Sequence, residues 1–492
     1  MKAMEEENVL IKERKRKLEQ IREMGINPFA YKYDVSHSTK SVKNSFDNLK
    51  AEEKTDKEVS VAGRIVSFRE MGKASFAHIQ DEESSIQVYF RKDDIGEEQF
   101  KLLNLLDIGD FLGVNGTMFK TKRGELTIYV QKFKLLTKSL RPLPEKYHGI
   151  KDEELKHRKR YLDCIMNPDS KDIFKKRAKI YRAIRKFLDE RGYIEVQTPI
   201  LQCQYGGANA RPFVTNINAW DMPMYLRIAY ELHLKRMIVA GFQKVYDLSS
   251  CFRNEGVDKT HNPEFAMMEI QTAYMDYNFT MELAEELWEF VAREVNGSTK
   301  IKFGENEIDL KAPWKRMTMF EALKEHANID VEKMSDGELK GLCEKHGIEC
   351  GEKRGEMIPA LFEELVEDKL IQPVHITDHP VETCPLAKEH REDNRLIERC
   401  ESFINGWEVG NYYSELANSE IQREHFEEQV RKGRGGDEEA HPLDEDYIEA
   451  LEYGLPPNAG IGIGIERMVM LLTGQDSIRD VIFFPIMKPQ SL

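Results

Sequence analysis

The hydrophobic period of this chain changes from two to about 3.6, and the change falls across a basic stretch punctuated by prolines. Before it, VSVAGRIVS at 59–67, SFAHIQ at 75–80, SIQVYF at 85–90, FLGVNGTMF at 111–119 and ELTIYVQKFKLL at 125–136 are short β-type runs. Turn signals at Met71-Gly72, Asp81 to Ser84 and Lys122 to Gly124 separate them. Five such strands in about 80 residues, with one helical interruption at 97–106, predict a small Greek-key barrel, for which the oligonucleotide-binding type is the commonest candidate. The alternative is a β-rich cap that binds nothing.

Past the connector at 138–168, which holds Pro142, Pro144 and Pro168, the residues Ile173, Phe174, Ile180, Tyr181, Ile184, Phe187 and Leu188 repeat at helical spacing. They predict a long helix ended by Arg191-Gly192, then a strand from Tyr193 to Val196 that stops at Pro199. The rest of the chain mixes strands and helices without a strict βαβ rhythm, which favours an antiparallel α+β domain over a doubly wound sheet. Ahead of the barrel, residues 4–24 carry Leu10, Leu18, Ile21 and Met24 near helical spacing. The expected organisation is a helical extension at 1–56, the barrel at 57–140, a linker at 141–168 and a large α+β domain at 169–492.

Composition limits the partners. With 72 Lys+Arg against 87 Asp+Glu the formal net charge is -15, so a nucleic acid would have to be met by local basic patches. Lys12, Arg14, Lys15, Arg16 and Lys17 form one, and Arg141, Lys146, Lys151, Lys156, Arg158, Lys159 and Arg160 another; the plainer reading of either is a solvated helix face. Acids gather elsewhere, at Asp437 to Glu439 and Asp444 to Asp446. Seven scattered cysteines fit a reducing compartment. Cys343, His346 and Cys350 are closely spaced, but no second ligand pair follows at finger-like spacing, so they are read as packing or surface residues. No apolar run long enough to cross a membrane occurs, and a cytoplasmic protein with no membrane partner is expected.

The chain lacks both a G-x-x-x-x-G-K-[ST] loop and a G-x-G-x-x-G between strand and helix, so phosphates must be held another way. FRNEG at 252–256 followed by THNPEFAMMEI at 260–270 offers a guanidinium, a carboxylate, an imidazole and an aromatic face. Arg253 can clamp an α-phosphate in bidentate fashion and Phe265 can stack on a purine, with Glu255 and His261 as further polar contacts. AGIGIGIERMVML at 459–471 reads as a glycine-alternating strand running into a helix that carries Arg467. Such glycines let a ligand lie against the backbone.

In order and spacing, the long helix with Pro199, the FRNEG segment and the glycine strand resemble motifs 1, 2 and 3 of class II aminoacyl-tRNA synthetases. RPLPEKYHGIKDEELKHRKRYLD at 141–163, YLRIAYELHLKR at 225–236, GLPPNAGIGIGIERMVM at 454–470 and SIRDVIFFP at 477–485 are similar to the bacterial type of lysyl-tRNA synthetase, and GRIVSFREMGKASFAHIQD at 63–81 to that family's anticodon barrel. The resemblance implies an α+β multidomain fold, with an N-terminal OB-fold barrel and a class II catalytic domain whose antiparallel β-sheet is flanked by helices. It implies a lysine–tRNA ligase that uses ATP, with Mg2+ bound alongside it, acting on lysine and tRNA(Lys). A homodimer formed through residues 173–199 is implied as well.

Carried over residue by residue, the resemblance gives Arg253 and Arg467 catalytic roles. Together with Glu255, His261 and Phe265 they bind ATP, and Glu401 and Glu408 take the metal. Gly207, Glu231, Arg253, Glu269, Gln271, Asn411, Tyr413 and Glu415 receive lysine, with Glu415 on its ε-ammonium and Glu231 and Gly207 on its α-amino group. Arg69, Phe76 and Gln87 meet the anticodon, with Glu125 beside the Arg123-Gly124 turn as a further candidate; from the strand pattern alone Phe76 could equally belong to the barrel core. This chain departs from the family at the lysine pocket: Gln271 stands where a tyrosine is usual, and Tyr230 and His233 replace a proline and a tyrosine. An aspartyl- or asparaginyl-type synthetase, a lysine ligase acting on a protein, and a non-catalytic tRNA-binding paralogue are the alternatives. The acidic Glu231 and Glu415 speak against an anionic substrate.

Overall fold

The computed structural model describes residues 2–144, 150–434 and 442–490. Lys146 of the connector and the acidic run Asp437 to Glu439 lie outside the described residues. The chain divides into two compact units, Met1–Gly149 and Ile150–Leu492.

The first unit is built on a closed five-stranded barrel of β1 (Lys54–Met71), β2 (Ala74–Gln80), β3 (Ser85–Arg91), β4 (Phe111–Lys120) and β5 (Leu126–Thr137), in the order β1-β2-β3-β5-β4. Only β3 and β5 run parallel, and closure leaves no free sheet edge. Alternation decides what is inside: Ala77 and Ile79 of β2 and Ile86, Val88 and Phe90 of β3 fill the barrel core, while Phe76, His78 and Gln87 face outward. The helix expected at 97–106 spans Glu97–Leu103.

A helix at Lys2–Glu23 carries the first basic run, in which Lys12, Lys15 and Arg16 are exposed as a solvated face would be, while the reading needs correction for Arg14 and Lys17. Arg14 is only 8% exposed, its guanidinium donating to the carbonyls of Ile108 (2.9 Å), Arg141 (3.1 Å) and Ser139 (3.2 Å). Lys17 pairs with Asp107 at 2.7 Å. Both are taken up within this unit, because backbone carbonyls and a carboxylate accept them.

The second unit begins with short helices Glu153–Arg158 and Arg160–Met166 inside the segment read as linker. Arg160, 3% exposed, is bonded to Asp163 at 2.8 Å, so it too is structural. The long helix is Pro168–Asp189, with proline at its first turn where no N–H is needed. After it come β6 (Ile194–Glu195), a three-stranded sheet of β7 (Leu201–Gln202), β8 (Val214–Ile217) and β9 (Met222–Leu226), and the helix Glu231–Val239.

The main sheet uses β6, β10 (Lys244–Phe252), β11 (Glu264–Ala273), β14 (Lys315–Thr318), β15 (Val374–Pro380), β16 (Leu396–Ile404), β17 (Trp407–Ser414) and β18 (Asn458–Gly464). A separate hairpin pairs β12 (Lys300–Phe303) with β13 (Asn306–Asp309). The main order is β14-β15-β16-β17-β18-β11-β10-β6, antiparallel except at the pairs β14/β15 and β6/β10. On one face the helices Pro168–Asp189, Tyr277–Asn296 and Ile465–Thr473 bury Phe187, Trp288 and Met468 among the sheet's Met268, Ile270 and Ile463. A helical insert from Met319 to Leu365 has a core of its own, including Leu339, Cys343 and Phe362. No helix among the described residues is long and apolar enough to cross a membrane.

Candidate functional site

Along β11 the side chains alternate. Ala266, Met268 and Ile270 enter the core, whereas Phe265, Met267, Glu269 and Gln271 line a cavity of about 450 Å3. Next to β11 lies β18, whose Gly462 stands opposite both Glu269 and Asn411 and whose Gly460 stands opposite both Gln271 and Tyr413. A side chain at Gly460 would clash with Glu415 Oε1 and Gln271 Nε2, but one at Gly464 would meet nothing within 4 Å. The glycine strand is therefore a flat floor, closely packed at one end and open at the other.

At the open end Arg253, just after β10, holds its guanidinium 5.2 Å from the centre of the Phe265 ring. Its buried Nε has no protein partner. The β10–β11 loop is tied by Arg253 N–H to the Pro263 carbonyl (2.9 Å) and by Asp258, which accepts from the N–H groups of Thr260 (2.7 Å) and His261 (2.8 Å). These bonds and the His261 ring hold the Asp258 carboxyl well below its usual range, though partial burial opposes them. Glu255 and His261 are exposed on this loop and line the same cavity. Arg467 donates to the carbonyl of Glu408. The adjacent Glu466 accepts from Arg177 (2.8 Å) and the Ala266 N–H (2.8 Å).

Glu401 on β16 and Glu408 on β17 also line the cavity, on a hairpin with a register shift between Ser402 and Phe403. Glu401 is paired to Arg399 at 2.5 Å. Glu408 is enclosed by protein though its side chain keeps 42% exposure, and that surround, with the charge of Glu401, raises its carboxyl. Burial, then Glu401, pushes nearby Glu367 up to about 8. Surplus negative charge on hard oxygen ligands suits a magnesium ion, which takes one or two protein carboxylates and completes its shell with phosphate and water. Among the described residues no group of three or more His, Cys, Asp or Glu side chains is placed to hold a metal ion.

The closed end is acidic. Glu231 (6% exposed), Glu269 (7%) and Glu415 (2%) are buried around it, with Asn411, Tyr413 and Gln271 on the wall. Gly207 is there at φ +87°, where a Cβ would also press on Ala229 and Glu231 at 3.1 and 3.2 Å, so glycine is required. Gln271 donates to Glu415 Oε1 at 2.8 Å and accepts from Asn458 at 2.5 Å. Burial drives the Glu269 carboxyl far up, with Glu231 adding to it. Burial likewise pushes Glu415 to about 8 although Lys235 pulls it down.

Fourteen residues singled out from the sequence thus line one cavity: Gly207, Glu231, Arg253, Glu255, His261, Phe265, Glu269, Gln271, Glu401, Glu408, Asn411, Tyr413, Glu415 and Arg467. Arg399, Lys235 and Asn458 were not read from the sequence. Two of them had a signal. Arg399 is two residues before Glu401 on one strand face, and Lys235 is one helical turn after Glu231.

The remaining four candidates lie on the barrel. Phe76 is half-buried on the outer face, its ring centre 4.7 Å from that of Tyr89, and Arg69 is exposed across the β1–β2 pair from it. Gln87 donates to Glu125 at 2.8 Å and accepts from Thr127 at 2.8 Å. His78 reaches Glu125 from the other side at 2.7 Å. An aromatic platform beside oriented polar groups can stack a splayed base and bond its edge.

The chain matches the family model "tRNA synthetases class II (D, K and N)" over residues 152–488 and the "OB-fold nucleic acid binding domain" model over 59–136. It is 50% identical over 491 residues to a Lysine–tRNA ligase of a Thermoanaerobacter species, covering 99% of this chain and 97% of that protein. Against the Lysine–tRNA ligase of Bacillus subtilis the identity is 48% over 489 residues, covering 98% of each, and against that of Clostridium novyi 48% over 489 residues, covering 98% and 95%. With a floor of glycines, an arginine–phenylalanine pair and three buried acids in one cavity of such a sheet, the chain belongs to the class II tRNA synthetases, in the lysyl-tRNA synthetase family.

Proposed function

We propose that the cavity activates lysine with ATP and passes it to the 3′ end of tRNA(Lys). The observation that carries this reading is the polarity of a single cavity, with Arg253, Phe265 and Arg467 at one end and Glu231, Glu269 and Glu415 buried at the other. A substrate with a carboxylate at one end and ammonium groups beyond it fits that polarity, and an anionic side chain does not.

In this reading adenine lies between Phe265 and Arg467, and Gly462 and Gly464 let the nucleotide approach the sheet floor. Arg253 orients the lysine carboxylate against the α-phosphate and offsets the charge that builds there, with Glu255 and His261 as further ATP contacts. Glu231 and Gly207 hold the α-amino group and Glu415 the ε-ammonium. Glu401 and Glu408 would hold magnesium, which supplies charge neutralisation on the phosphates when bound. No protein nucleophile is needed: Cys251 is buried, and burial raises its thiol far above the usual value.

The barrel reads the anticodon through Arg69, Phe76, Gln87 and Glu125. A second copy of the chain covers the exposed apolar residues Ile194, Ile200, Leu201, Val214 and Trp220, which follow the long helix; sedimentation at micromolar concentration gives a dimer if so and a monomer if not. Amino-acid-dependent ATP–pyrophosphate exchange tests the main reading. Lysine supports exchange in the intact chain and Arg253→Ala abolishes it; near-normal exchange in that variant, or none with lysine in the intact chain, defeats the assignment.

A further inference from the structure

Lys235 has no place on the cavity wall, yet its ammonium faces two residues that do. It follows Glu231 by one turn on the helix Glu231–Val239, and its side chain is 0% exposed. The Nζ atom is 2.5 Å from Glu231 Oε1 and also meets Glu415 Oε2. Since the other oxygen of Glu415 accepts from Gln271, that carboxylate is gripped by an ammonium on one side and an amide on the other. Glu269, the third acid at this end, keeps one oxygen with no protein partner.

Three buried acids face one ammonium, an excess of carboxyl groups over cations at this end of the cavity. A substrate that brings an α- and an ε-ammonium group would balance it, whereas a neutral side chain would leave a buried acid unpaired. We propose that Lys235 is a positioning residue for amino-acid selectivity: it fixes the orientation of the Glu231 and Glu415 carboxyl groups beside one ammonium, so that the cavity takes a diammonium amino acid and rejects a neutral one. This rests on the reading of the cavity as the lysine site.

The surroundings leave Lys235 as the counter-ion at this position. Tyr413 of β17 places its ring 5.5 Å from the ammonium. Tyr447, from the helix Glu445–Glu452, and the Cys384 thiol also act on this cluster, and burial raises both of them. Arg236, the next residue, is engaged by Asp444 at 3.1 Å and Asp446 at 2.8 Å. Arg253 serves the opposite end. Removing the ammonium takes away the strongest pull that lowers the Glu415 carboxyl against its burial, and a protonated Glu415 loses its preference for a cation.

The test uses the full-length chain and pyrophosphate exchange with lysine and with norleucine, which matches lysine in length but lacks the ε-charge. Lys235→Gln keeps two N–H donors for Glu231 and Glu415 and removes only the charge; Lys235→Met removes both, and Lys235→Arg keeps the charge. Making both neutral variants leaves one to measure if the other does not fold. In either, kcat/KM for lysine is expected to fall by roughly 100-fold, the order set by stripping a buried acid of its partner, with the loss in KM for lysine and the KM for ATP unmoved. The lysine-to-norleucine ratio falls with it, and Lys235→Arg restores part of it. An unchanged ratio in a folded neutral variant overturns the proposal, as does an equal loss for lysine, norleucine and ATP, which marks a merely structural role. Absence of lysine-dependent exchange in the unaltered chain overturns the reading of the cavity itself, whereas exchange there with unchanged selectivity in the variants overturns only the role of Lys235.

Discussion

Gln271 donates its amide N–H to Glu415 Oε1 across 2.8 Å while the carbonyl of the same amide accepts from Asn458. The second bond fixes the orientation of the first, because a flipped amide would aim its oxygen at a carboxylate. This chain thus supports its pocket acid with a two-residue amide relay. Gln271→Leu removes a charge-assisted bond worth roughly 1.5–3 kcal/mol, so the KM for lysine is expected to rise about 10- to 100-fold with the KM for ATP unchanged. Exchange kinetics with each substrate varied in turn measure this, and a variant with an unaltered KM for lysine removes Gln271 from the pocket.

Lysine binding is predicted to release a proton near neutral pH. The Glu415 carboxyl is pushed to about 8 by burial, against Lys235, in the protein without substrate. A raised carboxyl is protonated below that pH, and an ε-ammonium binds the ionised form, so affinity rises with pH until about 8 and then levels, by up to about tenfold per unit. For folding the sign is opposite: as pH climbs from the unfolded value of 4.5 toward 8, the unfolded state loses its proton first, and this group's contribution to stability declines. Calorimetry in buffers of different ionisation enthalpy counts the proton, and binding without proton uptake by the buffer refutes the prediction.

The two ends of the glycine strand are predicted to respond differently. Gly460→Ala places a methyl against Glu415 and Gln271, so lysine-dependent exchange falls at least tenfold through KM for lysine. Gly464→Ala meets no atom within 4 Å and leaves the melting temperature nearly unchanged, but in the proposed reading its methyl projects toward the nucleotide, so the KM for ATP is expected to rise. Thermal melts with kinetics on both variants check this, and identical profiles would contradict it.

A stability prediction concerns the far side of the site. Arg177, on the long helix, bonds Glu466 at 2.8 Å, and Glu466 also receives the Ala266 N–H. With both side chains largely buried, Arg177→Met strands an acid and is expected to destabilise the second unit by about 3–5 kcal/mol. Denaturant unfolding followed by tryptophan fluorescence measures it, since all four tryptophans lie in that unit.

On the barrel, Glu125→Ala removes the acceptor shared by Gln87 and His78. Aminoacylation of tRNA is expected to lose about tenfold or more in kcat/KM, the order of one polar contact to a charged group, while tRNA-free pyrophosphate exchange is unaffected. A parallel loss in both assays would place Glu125 in folding instead of RNA recognition.

Much of the candidate site was legible because many of its residues sit on β strands, where alternate residues share a face. Phe265, Glu269 and Gln271 share a strand phase with one another, and so do Gly460, Gly462 and Gly464. The barrel's alternation followed from the same period, but whether Phe76 belongs to its core or its outer face was decided by the structure, which puts it outside. Charge was less readable. Arg14, Lys17 and Arg160 belong to basic runs in the sequence but are consumed by carbonyls and acids distant along the chain or buried beside them. A run of like charges says nothing about which members are already paired.

The sequence by itself determined strand and helix phases, the motif order and the chemical types available, since these depend on local period and on residues close in the chain. Only the tertiary structure decided that Lys235 stands behind two acids from different elements, that Asn458 orients Gln271, and that Glu401 and Glu408 share a hairpin. Those pairings span up to 187 residues of chain and depend on sheet order and register, which no local pattern encodes.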